Sequence, residues 1–346
     1  MKALYLASPS EFGLVERPKP QPKPDEALVR VGRAALCHTD VIITSGKAGH
    51  VNYPVIPGHE FSGVVEECGS EVKYIHPGDR VAVHTILACG ECLPCRMGDV
   101  AGCEHYDELG SKRDGGFAEY CTVPARHLFK LPDHVSLEQA AMIEPLANAV
   151  SMVRQADVKL GERVVVMGPG PIGLLALQVA RLAHPSVLVL TGTRDERLAF
   201  GKRFGATHTI NVLEPGAKDG LKQVLGGKGA DVVMECAGAR SALELAMEIV
   251  GWRGRIAVEG AFDTQETIPI SPYDLLMRRS ARLLGICGWV TPDFVRALDL
   301  IASGLVDVKP LVTHVFPMEQ WELAFDMITR RKSQAIKVQL APGGDA

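Results

Sequence analysis

No apolar run in this sequence approaches the roughly 20 residues that cross a bilayer, which argues against a transmembrane helix. The opening MKALYLASPSEFG offers only a short apolar stretch before Ser8, Pro9 and Ser10, too little for the core of a signal peptide. Basic blocks are also missing. Lys and Arg number 37 against 41 Asp and Glu, a formal net charge of −4, so nothing favours nucleic acid or an anionic membrane as partner. There is no internal repeat and no low-complexity tract. The expectation is a cytoplasmic protein.

What is present suits a folded chain with ample material to bury. Of the 346 residues, 47% are apolar, and mean hydropathy is +0.09. That length exceeds a single ordinary core, so two domains are expected. Nine cysteines occur; Cys68, Cys121, Cys236 and Cys287 are scattered in apolar sequence and read as inert core residues. The other five fall in two motifs, which fits metal-bound thiolates in a reducing compartment better than a disulfide framework.

The first 150 residues read as β-rich. Short apolar runs, ALVRVGRAALC (27–37), FSGVVEECG (61–69) and DRVAVHT (79–85), are separated by Gly and Pro turns, as in a barrel or sandwich. Beyond them RVVVMG (163–168), VLVLTG (187–192), HTINV (208–212), DVVMECAG (231–238) and RIAVEG (255–260) are strand candidates. Helix-length segments such as 172–183 and 194–205 lie between. This alternation predicts a doubly wound parallel α/β sheet. It fades near residue 285, and WELAFDMITRR (321–331) then AIKVQLA (335–341) close the chain as helix and strand.

MGPGPIG (167–173) contains Gly168-x-Gly170-x-x-Gly173 between a predicted strand and a predicted helix. Glycine is needed there for the tight turn, for approach to a pyrophosphate and for helix–strand packing, and Pro171 suits a first helical turn. Gly168, Gly170, Pro171, Ile172 and Gly173 are the candidate dinucleotide loop. An NAD site usually carries Asp or Glu at the end of the second strand. Here Thr191, Gly192 and Thr193 stand at that position with Arg194 just beyond. Gly192, Thr193 and Arg194 thus leave room and charge for a 2′-phosphate, favouring NADP over NAD. Asp195 works the other way, and a solvated Arg194 at a helix start is the bland alternative.

Cys89, Cys92, Cys95 and Cys103 follow C-x2-C-x2-C-x7-C. Four thiolates complete a zinc tetrahedron, leave no position for substrate and outweigh the metal's charge, so this cluster is expected to be structural. Free cysteines or local disulfides are the alternative. A reactive zinc needs fewer and less negative ligands. The candidates are Cys37 in CHTD, His59 with Glu60 in PGHEF, and Glu144 in IEPLA; one thiolate and one carboxylate would balance the metal and leave a position open.

CHTD (37–40), PGHEFSGVV (57–65), PGDRV (77–81), the four-cysteine lobe, DGGFAEY (114–120), IEPLANAV (143–150) and GPGPIG together resemble the medium-chain zinc-dependent alcohol dehydrogenases over essentially the whole chain. That resemblance implies a GroES-like β-rich catalytic domain at 1–148 with the structural zinc lobe at 88–104. It also implies a Rossmann NAD(P)-binding domain at 149–285, a return segment at 286–346, an active site in the cleft between the domains, and a homodimer or homotetramer. Two zinc ions per subunit, one catalytic and one structural, are implied as well. Glu144, standing where ordinary members have Cys, resembles the sorbitol (polyol) and threonine dehydrogenase branch. There Cys37 and His59 bind zinc, Glu60 and Glu144 supply the remaining ligand directly, through water or by exchange, and Thr39 takes the substrate proton. Ile42 departs from that branch, which commonly has His at this position; here His38 follows the cysteine directly. The implied reaction is hydride transfer between a polyol-like secondary alcohol and NAD(P), with a threonine-type amino-alcohol dehydrogenase as runner-up. Outside catalysis, a zinc-ribbon nucleic-acid binder is disfavoured by the charge balance. The retained Cys37, His59 and Glu144 disfavour a silent binding protein.

Overall fold

The computed structural model describes residues 1–9, 11–49, 51–262, 266–330 and 335–344. The chain divides into two compact units, Met1–Glu144 with Val290–Ala346, and Pro145–Trp289. The sequence expectation placed these divisions at 148/149 and 285/286. The first division falls inside one continuous helix, Ile143–Gln155, where no turn signal marks it.

The unit Pro145–Trp289 is built on six parallel strands. In spatial order they are His208–Asn211, Val187–Gly192, Arg163–Met167, Ala230–Glu235, Val250–Val258 and Arg282–Gly285. Val164, Val165, Val166, Val232, Val233 and Met234 are fully buried, because helices cover both faces and alternation disappears. Helices Pro171–Arg181, Asp195–Arg203, Ala217–Val224 and Arg240–Ile249 make the crossovers. The first strand therefore lies at the switch point, and the crevice at its C-terminal end is where a doubly wound sheet receives ligands. At the opposite end Arg163 donates to Asp231 Oδ1 and Oδ2 at 2.7 and 2.9 Å, tying the strand starts together.

The other unit is β-rich, as expected. Its longest strand, Glu26–Ala35, pairs antiparallel with Glu60–Cys68, Tyr120–Pro124 and Lys337–Ala341. Ala35 faces Glu60 on one side and Gln339 on the other. Three remote segments thus meet where Glu26–Ala35 ends, two residues before Cys37. Leu4, Val29, Val31, Phe61, Val65, Phe117, Val338 and Leu340 form the core beneath. The expected terminal helix runs Trp321–Thr329; residue 331 lies outside the described residues. No helix among the described residues is long and apolar enough to cross a membrane.

A polar chain crosses the apolar interior of this unit. Arg126 Nε donates to His127 Nε2 at 3.2 Å, His127 Nδ1 lies 3.3 Å from His84 Nδ1, and His84 Nε2 lies 3.2 Å from Thr291 Oγ1. The order is satisfied with both rings neutral, His127 donating to His84 and His84 to Thr291. Burial pushes His84 down to about 4; burial, then His84 and Arg126, push His127 down to about 3. Both folded values lie below the unfolded value, so this stability is complete above pH 6.5 and is lost as pH falls toward 4 and 3. By pH 5 the loss is about 2 kcal/mol per ring. Urea unfolding at pH 7.5 and 5.0 should show that drop, halved in His127→Gln; a pH-independent midpoint would contradict a neutral pair.

Candidate metal centres and dinucleotide loop

In the lobe at 88–104 the four cysteine sulfurs lie within 4.8 Å of one another. Cys89 Sγ is 3.9 Å from Cys95 Sγ, and Cys92 Sγ is 3.9 Å from Cys103 Sγ. A disulfide needs about 2.05 Å. A zinc tetrahedron with bonds of about 2.3 Å has sulfur–sulfur edges of about 3.8 Å, so these sulfurs fit a four-coordinate ion. The amide of Cys92 donates to Cys89 Sγ at 3.4 Å. Backbone donors of Cys92 and Glu91 pull the Cys89 thiol down to about 6, whereas burial, ahead of the neighbouring sulfurs, pushes Cys95 up to about 12.

A second group forms at the strand junction described above. Ligand atoms of Cys37, His59 and Glu60 lie within 4.8 Å of one another. Cys37 caps helix His38–Thr44, and Asp40, three residues on, accepts the Cys37 amide at 2.8 Å through Oδ2. Its other oxygen, Oδ1, sits 3.4 Å from His59 Nδ1, a contact of the kind that orients a ligating imidazole. Burial opposes charge on His59, but Asp40 and Cys37 outweigh it and raise the imidazole pKa well above its ordinary value. Thr39 is exposed, with Oγ1 3.5 Å from Cys37 Sγ.

Glu60 is 1% exposed and does not stand alone. Lys337, itself 3% exposed, donates from Nζ to Oε1 at 2.7 Å and lies 2.5 Å from Oε2. Only Oε1 has hydrogen-bond geometry; Oε2 is buried without a hydrogen-bond partner. Burial works against the ammonium, yet Glu60, Cys37 and Glu144 hold its pKa above the ordinary value. Glu144 therefore belongs to the same electrostatic neighbourhood, although it is outside the three-residue cluster.

Asp40 and Lys337 were absent from the sequence reading. Asp40 was legible in principle, as a carboxylate three residues into a helix capped by a candidate ligand. Lys337 carried only the weak signal of a lysine inside an apolar strand, 277 residues from its partner.

The candidate dinucleotide loop opens where strand Arg163–Met167 ends. Gly168 has φ +99°, and a Cβ there would lie 2.9 Å from the Ala237 nitrogen. A Cβ on Gly173 would lie 1.9 Å from the Gly168 carbonyl oxygen, so the helix packs directly on the turn. Gly170, the N-cap, would meet nothing within 4 Å, which leaves its face open for a phosphate. Pro171 and Ile172 begin helix Pro171–Arg181. Gly192, last in its strand, has no room for a side chain: a Cβ would lie 2.6 Å from Pro169 Cδ. Thr193 is exposed and Arg194, half-buried, is the N-cap of Asp195–Arg203. Asp195 Oδ1 accepts from Asn211 Nδ2 at 3.0 Å, so that oxygen is already engaged.

Residues 23–133 match the model of the alcohol dehydrogenase GroES-like domain, and residues 171–303 that of zinc-binding dehydrogenases. A sorbitol dehydrogenase of Halalkalibacterium halodurans is 34% identical over 99% of both chains. An L-threonine 3-dehydrogenase of Bacillus velezensis is 35% identical, again over 99% of both. Among solved structures, a zinc-binding dehydrogenase from Sinorhizobium meliloti 1021 bound to NADP superposes with a TM-score of 0.91. It is 32% identical and the match covers 99% of each chain.

Proposed function

Because the chain belongs to the zinc-dependent medium-chain alcohol dehydrogenase family, we propose that it oxidises a secondary alcohol of a polyol or sugar-derived substrate with NAD(P), reversibly. The observation that carries this reading is the gathering of Cys37, His59 and Glu60 in a chain whose other cluster offers four thiols, enough by themselves to fill a zinc tetrahedron. One site has no position to give; the other does.

When bound, zinc supplies Lewis acidity to a substrate hydroxyl and the nicotinamide accepts the hydride. The chain's residues do the rest. Cys37 and His59 are the proposed fixed ligands, with Asp40 orienting His59. Glu60 and Glu144 provide the remaining ligand directly, through water or by exchange, and Lys337 limits how far Glu60 can move. Thr39 accepts the substrate proton at Oγ1 and, being exposed, passes it to solvent. Since Ile42 cannot carry a proton, exit must run past Thr39 and the adjacent, exposed His38. A vicinal hydroxyl meeting Glu144 would favour polyols over simple alcohols.

Gly170 and the helix behind it cradle the pyrophosphate, and Gly192, Thr193 and Arg194 receive the adenosine ribose. The close approach of Gly192 to Pro169 excludes a carboxylate there, which favours NADP through Arg194. The proposed domains are 1–148, 149–285 and the return segment 286–346, in a cytoplasmic enzyme. A homodimer or homotetramer is supported by edge strand Arg282–Gly285 and exposed Tyr273, Met277 and Leu283 nearby; a monomer by light scattering would refute it.

A screen of sugar alcohols, cyclic polyols, aldonates and threonine against both cofactors, read at the reduced-nicotinamide band, tests this reading. Polyols should turn over, with kcat/KM roughly 10-fold higher for NADP and that preference lost in Arg194→Ala. The 35% identical threonine enzyme motivates the second reading, which threonine turnover without polyol turnover would establish. A strong NAD preference would refute the role of Arg194.

A further inference from the structure

One buried carboxylate in the unit Pro145–Trp289 has no part in the chemistry above. Glu235 is the last residue of strand Ala230–Glu235 and is 0% exposed. Its Oε1 accepts the amides of Ala237 at 2.8 Å and Gly238 at 3.0 Å, and the amide of Ala239 adds a third donor. A chain leaving a strand exposes unpaired amides, and a carboxylate in a dry setting holds several at once.

The surroundings show what this grip fixes. The Cys236 amide donates to the Met167 carbonyl at 2.9 Å, binding the segment to the strand that opens the dinucleotide loop. Glu259 and Gly260 donate their amides to the Glu235 carbonyl at 3.0 and 3.1 Å, joining the next strand end. Ala237 then stands so close to Gly168 that a Cβ on Gly168 would lie 2.9 Å from the Ala237 nitrogen and 3.0 Å from its Cα. Gly260 shows the same tightness: a Cβ there would lie 2.2 Å from the Gly238 nitrogen and 2.3 Å from Glu235 Oε2. Three strand ends meet at the backbone of Glu235 and Cys236, and the segment that the carboxylate gathers lies against the first glycine of the loop.

We propose that Glu235 is a positioning residue for the dinucleotide pyrophosphate: by gathering the amides of residues 237–239 it holds Ala237 against Gly168 and fixes the loop before the ligand arrives. The inference rests on the dinucleotide reading of that loop. Preorganisation of this kind affects affinity for the group the loop touches and leaves the rest of the ligand alone.

Calorimetry on the zinc-loaded enzyme with ADP-ribose, which carries the pyrophosphate, and with 5′-AMP, which does not, separates the possibilities. Glu235→Ala should weaken ADP-ribose and the reduced dinucleotide by roughly 10- to 50-fold and 5′-AMP by less than about 2-fold. Zinc content should not change. Glu235→Gln, which keeps a carbonyl acceptor for the amides, should recover to within about 3-fold of the parent. If Glu235→Ala does not fold, Glu235→Asp, one methylene too short to reach these amides together, takes its place with the same pattern expected. Equal weakening of ADP-ribose and 5′-AMP, unchanged affinity in a folded variant, or a Gln variant as weak as Ala would each overturn the assignment. Absence of binding by the parent to both ADP-ribose and its 2′-phosphorylated form would instead overturn the dinucleotide reading itself.

Discussion

Cys37→Ala is expected to lower kcat/KM by roughly a thousandfold or more while leaving dinucleotide affinity intact. A metal that polarises a reacting oxygen supplies several kcal/mol of transition-state stabilisation, and about 1.4 kcal/mol is a factor of ten. Removing the thiolate would take a charged ligand from a group whose other members, among the described residues, are His59 and Glu60. The variant should lose one zinc by elemental analysis, and the protein should still fold, because Cys37 lies at a strand exit and outside the main core cluster. Cys95→Ala should have the opposite signature: loss of the other zinc, a lower Tm and weaker assembly, with substrate KM preserved in whatever folds. Retained turnover in Cys37→Ala, or a purely kinetic defect in Cys95→Ala, would reverse the two assignments.

The second large effect is expected at Lys337. Lys337→Met keeps the length and apolar stem of the side chain but leaves the Glu60 carboxylate buried without its counter-ion. Breaking a buried pair from one side costs about 3–5 kcal/mol, more than the pair itself contributes. Glu60 could relieve that cost by taking up a proton or, with zinc bound, by turning to the metal. The variant should therefore be less stable in urea. Zinc should leave more slowly to a chelator, and kcat should fall roughly 10- to 100-fold as the open coordination position is occupied. Adding Glu60→Gln to Lys337→Met should restore most of the stability, since the uncompensated charge is gone. Wild-type stability in the single variant would show that water, not Lys337, satisfies Glu60.

The fold was legible because its signals are local. Val-rich runs without alternation marked the parallel sheet, and Gly168, Gly170 and Gly173 are adjacent in sequence because one turn needs them all. The four-cysteine lobe was legible for the same reason, its cysteines spanning fifteen residues. The candidate reactive site was harder. Cys37, His59, Glu60 and Glu144 sit among ordinary strand and helix residues, and the family resemblance drew them together. Lys337 escaped because its role depends on a register: Ala35 faces Glu60 and Gln339 at once, and no local pattern in AIKVQLA encodes a partner so far away. The reason for Gly192 was likewise hidden. Sequence showed that a carboxylate was missing, whereas the structure shows that Pro169 leaves it no space.

That contact between Gly192 and Pro169 constrains how cofactor preference can change by single steps. An Asp or Glu introduced at 192 in this background meets the proline ring before it can reach a ribose, so the substitution costs packing before it contributes recognition. Shortening residue 169 first removes the obstacle, at the expense of a loop conformation the proline helps to set. The two positions are epistatic, and one mutational order passes through a better-folded intermediate than the other. Under the proposed NADP preference, laboratory selection for NAD use should fix changes at 169 before any acid appears at 192, or else bypass both through Thr193.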